Sequence, residues 1–244
     1  MKTCRLAAAG LVLFAFGCAA PYGAADEPAP PSTSLPNAGC DPRGTYRFCD
    51  DFDHRTEVDD GRWRASVGGT GVVSIDSVES SSRPAAALSS VGPGKASTAA
   101  LVKVLALTGS KARTEADLRL DAQVERVRSG AMLFGVGLPS GEHAAIGIVA
   151  GRVVLQLGNA AGVVRQVPLD PFPLGAWTHV VLEIAFDAQD GRVLVSADDK
   201  VLFDERRLEL LGPSSSPATF QLVAGVSGSP EVPVSLRLDN VKVF

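Results

Sequence analysis

"ARTEADLRLDA", Ala112 to Ala122, alternates without a break. Ala112, Thr114, Ala116, Leu118 and Leu120 share one parity, and Arg113, Glu115, Asp117, Arg119 and Asp121 share the other. Successive side chains of a strand point to opposite faces, so this stretch is a strand with one buried face and one charged face. "HVVLEIAFD" repeats the pattern with Val180, Leu182, Ile184 and Phe186, and "TFQLVAGVS" groups Phe220, Leu222, Ala224 and Val226. Turn signals break the runs: "PSGE" at Pro139, "VAGR" at Val149, "GNAAG" at Gly158, "DAQDG" at Asp187 and "ADDK" at Ala197. One short helix is expected near Arg206, within "DDKVLFDERRLELL". Many short strands joined by close turns predict an all-β fold, an antiparallel β-sandwich.

The 244 residues suffice for one such domain, which can bury its core without metals or many disulfides. Net charge is -4, and no basic stripe interrupts the sequence, which argues against a nucleic-acid partner. Nothing repeats at a fixed period, which excludes solenoids and propellers.

The first residues read as a signal peptide, 1–18. Lys2 and Arg5 precede an apolar run, Leu6 to Gly17, that is too short to span a bilayer comfortably. "AFGC" resembles a bacterial lipobox, although Ala15 stands where Leu is usual and Phe16 where a small residue is usual. The resemblance implies an acylated Cys18 and a lipoprotein of the cell envelope. The alternative is cleavage after Ala25 in "YGAADE", which leaves a secreted protein. Residues 19–39, rich in Pro, Ala and Ser, read as a tether, and 40–244 as the folded domain.

Cys40 and Cys49 are the cysteines of that domain. In an exported protein an isolated pair forms a disulfide, contributing about 2.5 kcal/mol in the chain-entropy model. Zinc is not expected, because His54, His143 and His179 show no ligand spacing with them.

Both ends of the domain carry a family likeness. "FCDDFD" followed by Trp63, and "LRLDNVKVF" from Leu236 to Phe244, resemble the opening and closing strands of concanavalin A-like lectin/glucanase jelly rolls. Leu174 to Glu205 is similar to the laminin-G-like version of that fold. The resemblance implies carbohydrate as a partner, and a structural calcium held by Asp239 with Asp51 and backbone carbonyls; calcium takes six or more oxygens. In the closing strand the alternation slips: Leu236 and Leu238 share one parity, Val241 and Val243 the other. A β-bulge at Asp239–Asn240 would turn both pairs inward.

Glucanases of this fold carry paired carboxylates on one strand. Glu115 and Asp117, two apart and so about 6.6–7 Å apart on one face, meet that spacing. Arg119 and Leu120 stand where a third carboxylate would be. Arginines beside them suggest a solvated, self-neutralising face instead, and flanking cations oppose a raised acid. Asp51 and Asp53 share the parity of Cys49, and Asp50 that of Phe48 and Phe52, so Asp50 is drawn inward towards a backbone partner. None of the three is expected to be catalytic, and as a group they are expected at the rim between two β-layers. His143, beside Glu142, reads as a surface histidine, and Trp63 and Trp177 as core residues at strand starts. Tyr46 is the lone tyrosine of the domain, which disfavours a lyase needing clustered His, Tyr and Arg. Sugar contacts are sought first in the "GNAAG" and "ADDK" loops.

These observations point to an exported, membrane-anchored, non-catalytic module for carbohydrate or another surface ligand. A divergent glycoside hydrolase or polysaccharide lyase using Glu115 and Asp117 is the second possibility, and a structural or adhesive envelope protein the third.

Overall fold

The computed structural model describes residues 40–41, 44–81, 85–106, 109–187, 189–208 and 219–244. The signal peptide, Cys18 and the tether expected over 19–39 lie outside them. The first seven strands are β1 (Phe48–Asp50), β2 (Arg64–Gly68), β3 (Val72–Asp76), β4 (Ala86–Val91), β5 (Ser97–Ala106), β6 (Lys111–Ala122) and β7 (Ala131–Gly137). The next four are β8 (His143–Val149), β9 (Arg152–Asn159), β10 (Gly162–Pro168) and β11 (Trp177–Ala185). Then come β12 (Arg192–Ala197), β13 (Lys200–Arg206), β14 (Thr219–Gly228) and β15 (Val234–Val243).

They form two antiparallel sheets. Sheet A runs β13-β12-β11-β6-β15-β4-β3, with β1 also on β15; sheet B runs β10-β9-β8-β7-β14-β5-β2. The alternating stretches supply the interior. Ala112, Thr114 and Ala116 on β6 are fully buried, and Leu118 and Leu120 nearly so. On β11 Val180, Leu182 and Ile184 face them from the same layer, and Phe220, Leu222, Ala224 and Val226 on β14 come from the other sheet. The predicted turns all join neighbouring strands. Among the described residues no helix forms near Arg206: "KVLFDER" is β13, pairing with β12 from Arg206 opposite Arg192 to Lys200 opposite Ala197. A two-residue hairpin at Asp198–Asp199 dictates this, since both residues adopt positive φ (47° and 63°), as such turns need.

β15 lies in the middle of sheet A. β6 flanks one side; on the other side β4 pairs with Val234–Leu238 and β1 with Val241–Val243. The register shifts between Asp239 and Lys242, and Asn240 takes φ 50°. The bulge expected from the slipped alternation is therefore present. It turns Leu236, Leu238, Val241 and Val243 all into the core, at 3% exposure or less. The Cys40–Cys49 disulfide ties the start of the domain to β1, with Cα atoms 5.7 Å apart.

Candidate functional site

The charged face of β6 looks out from sheet A, but it is not a solvated row. The Glu115 and Asp117 side chains are only 14% and 20% exposed. β11 lays His179 directly opposite Asp117, with His179 Nδ1 2.9 Å from Asp117 Oδ1 and Nε2 3.8 Å from Glu115. Asp117 Oδ2 accepts hydrogen bonds from Ser81 Oγ at 2.6 Å and Asn240 Nδ2 at 2.8 Å. Glu115 accepts from Arg113 at 2.5 Å. Arg119 bridges Glu79 and Asp121, and Arg237 bridges Asp76, Glu79 and Asp121. Burial pushes the Asp76 carboxyl up, but the Val78 amide, Arg237 and the Glu79 amide outweigh it and leave it below its ordinary value. Both oxygens of Asp117 are thus engaged within the protein. Trp177, expected in the core, pairs with Arg119 on this outer face and is half-buried, because it shares the parity of His179 and not that of Val180. The "ADDK" turn supports the same corner: Asp198 Oδ1 accepts the His179 amide at 2.9 Å.

The aspartates that end and follow β1 are buried. Asp50 and Asp51 are fully buried and Asp53 is 7% exposed. Asp50 accepts the Trp63 indole N–H at 2.7 Å, the Arg55 guanidinium at 2.5 Å and the Phe52 amide at 3.1 Å. Burial still pushes its carboxyl up, with Arg55 the main opposing charge. Trp63 is core, 2% exposed, stacked with Phe52 and edge-on to Phe48, as expected. Asp51 Oδ1 accepts the Asp53 amide, and Asp53 Oδ1 the Ala85 amide. Burial, with Asp51 adding repulsion, pushes Asp53 up against the pull of that amide. Asp239 is fully buried; its Oδ2 accepts the Ser81 amide and its Oδ1 the Asn240 amide. Antiparallel register places Asp51 beside the Asp239–Asn240 bulge, where β1, β4 and β15 meet. The donors there are all oxygen, the chemistry calcium prefers. Among the described residues no three His, Cys, Asp or Glu side chains form a metal cluster, so backbone carbonyls would have to complete such a site.

The outer face of sheet B differs in kind. Its cross-strand rows follow from the register. One row reads Val104, Gln221, Gly137, His143, Gly158, Val163; the next reads Arg64, Val102, Val223, Gly135, Ala145, Gln156, Gln166. Along β7 and β8 this face bears Met132, Gly135, Gly137, His143, Ala145 and Gly147, so the middle of its floor is nearly bare backbone. Polar side chains lie across the glycines. A Cβ on Gly158 would meet the His143 ring at 2.1 Å, and one on Gly147 the Gln156 amide nitrogen at 3.1 Å. His143, expected at the surface, is 4% exposed; its Nδ1–H donates to Gly141 O at 2.8 Å, and burial pushes its pKa down. Gln156 is 6% exposed and makes no side-chain hydrogen bond among the described residues. The "GNAAG" hairpin closes one end of this face, with Gly158 opposite His143. From β5 to β10 no strand residue of this face is a carboxylate, and the Glu142 side chain before β8 accepts from Ser140 Oγ. His179 and Gln156 escaped sequence reading. A lone Gln inside "VVLQLG", with glycines at outward positions in "LFGVGL" and "AAIGIV", was the available signal.

No family model and no curated protein matches the chain. Solved structures do. An endo-beta-1,4-glucuronan lyase from the fungus Trichoderma reesei superposes with TM-score 0.61 at 16% identity, covering 82% of this chain and 95% of the other. A cellulose-induced protein superposes with TM-score 0.60 at 14% identity, covering 81% and 96%. A glycosyl hydrolase family protein from Mycobacterium fortuitum gives TM-score 0.55 at 14% identity, covering 82% and 100%. At these identities the likeness is one of fold: a jelly-roll β-sandwich.

Proposed function

We propose that the chain is an exported carbohydrate-binding module, anchored through an acylated Cys18, that holds polysaccharide against the outer face of sheet B without breaking bonds. One observation carries this. The face with a backbone floor and laid-over polar side chains has no carboxylate on its strands, whereas the paired acids of β6 sit on the opposite sheet among His179, Ser81 and Asn240. Glycoside hydrolysis needs two carboxyls flanking the scissile bond. Amides both donate and accept, which suits sugar hydroxyls. The names of the structural neighbours, a glucuronan lyase and a cellulose-induced protein among them, favour a carbohydrate ligand.

The full-length chain, purified in detergent and applied to a glycan array with and without calcium, is expected to retain glycans. No retention on any glycan would overturn the proposal. A polysaccharide digestion screen is expected to be blank; turnover by wild type that Glu115→Gln abolishes would replace binding by hydrolysis. Calcium at Asp51 and Asp239 belongs to the same proposal, and a chelator is then expected to lower the melting temperature. Cys18→Ala is expected to release the protein from the membrane fraction.

A further inference from the structure

We infer that the ligand of the sheet B face is a neutral glycan lying along β7 and β8, with Gln156 as a specificity residue, and that acidic polysaccharides are excluded. This rests on the binding proposal above and narrows it. The wall columns of β14 and β9 stand three strand spacings apart, about 14 Å, with Gly135, Gly137, Ala145 and Gly147 between them and Met132 and His143 at the two ends of that floor. The walls present Gln221 and Val223 on one side, and Val154 and Gln156 on the other.

Charge decides the ligand class. Among the described residues, the charged strand positions on this face are Arg64 on the edge strand β2 and Arg152 at the start of β9. Arg152 lies 4.0 Å from Asp170. Between them the face is uncharged. A polyuronate carries one carboxylate on every sugar, and pressing such a row against a floor with no cation strips its hydration with no opposite charge in return. Hydroxyls of a neutral chain face no such cost. Gln156 is 6% exposed, its amide nitrogen lies over Gly147, and no side-chain hydrogen bond joins it to another described residue. An amide free of internal bonds suits a ligand that both donates and accepts. Gln166 stands directly opposite it on β10 and extends the same chemistry to the edge of the sheet.

The test is affinity electrophoresis of the full-length chain in gels containing a neutral β-glucan, a polyglucuronate or alginate, each at low and high salt. Retardation by the neutral glucan, unchanged by salt, is expected. Gln156→Ala should weaken it about fivefold in a protein that still melts cooperatively. Glu115→Gln, on the other sheet, should leave it unchanged. Retardation by the acidic polymers alone, declining with salt, overturns this inference and leaves the binding proposal intact. Retardation by neutral glucan that is indifferent to both Gln156→Ala and Gln221→Ala overturns the site. Retardation by none of the three, from a cooperatively melting protein, overturns the inference, and the glycan array then decides separately on the binding proposal.

Discussion

Asp50 shows how one buried carboxylate organises its surroundings. Arg55, itself 7% exposed, Trp63 and the Phe52 amide all donate to it. Asp50→Ala leaves the Trp63 indole N–H without its acceptor and the Arg55 guanidinium with Asp60 alone, and is expected to lower stability by about 3–5 kcal/mol in chemical denaturation. Asp76 offers the contrasting acid. Its folded pKa lies below the unfolded value of 3.8, so its contribution is present above that value and is lost as pH falls through the folded one. Asp76→Asn should cost about 1–2 kcal/mol at pH 7, and the gap from wild type should close under acid. At this scale the sequence was half readable. Parity with Phe48 and Phe52 turned Asp50 inward, but nothing local tied it to Trp63, thirteen residues on. His143 was misplaced for a related reason: its cover depends on which glycine lies opposite, and that is a matter of pairing.

Among the elements, β15 is the one whose sequence announced its own irregularity. Two inward leucines followed by two inward valines of the other parity demand an extra residue, and Asn240 supplies it at positive φ. A β-branched side chain resists that conformation, and Asn240 Nδ2 also donates to Ser81 and Asp117. Asn240→Val is therefore expected to cost about 2–3 kcal/mol, and Asn240→Gly less, by urea titration. Replacing both Cys40 and Cys49 by Ser should cost about 2–3 kcal/mol through the freed loop. Alternation revealed strand β6 and its charged face directly. It could not reveal that β11 pairs with that face so as to set His179 on Asp117, because the two residues lie 62 positions apart. β13 was confused with a helix because "LFDERRLELL" satisfies helical spacing as well as a short edge strand does.

Over the whole molecule the two outer faces divide the work of charge. Sheet A gathers the acids and arginines of β6, β11 and β15 into bridges, and sheet B leaves its central strands neutral. The sandwich is latched at one side, where Arg165 on β10 meets Glu205 on β13 at 2.7 Å and lies over the Phe203 ring. Both partners are more than a third exposed, so Arg165→Ala should change stability by less than about 1 kcal/mol. It should promote self-association at high concentration, seen by sedimentation velocity, because Val163, Val164 and Val201 lie exposed on the same two edge strands. The fold class was legible because period two and turn residues are local signals. The candidate face was not, because a bare floor is defined by what four strands lack together.

The central position of β15 sets a timetable. It leaves the ribosome after the fourteen strands before it, yet β6, β4 and β1 all pair with it. Until it arrives, β4 and β6 have no shared neighbour and β1 has nothing to join, so half of the sandwich waits with an open seam. Contacts such as Phe48 to Val243 close nearly the longest loop the domain allows, which slows folding. A nascent chain kept loose in this way suits the export proposed above, because it can be threaded through a pore before it locks.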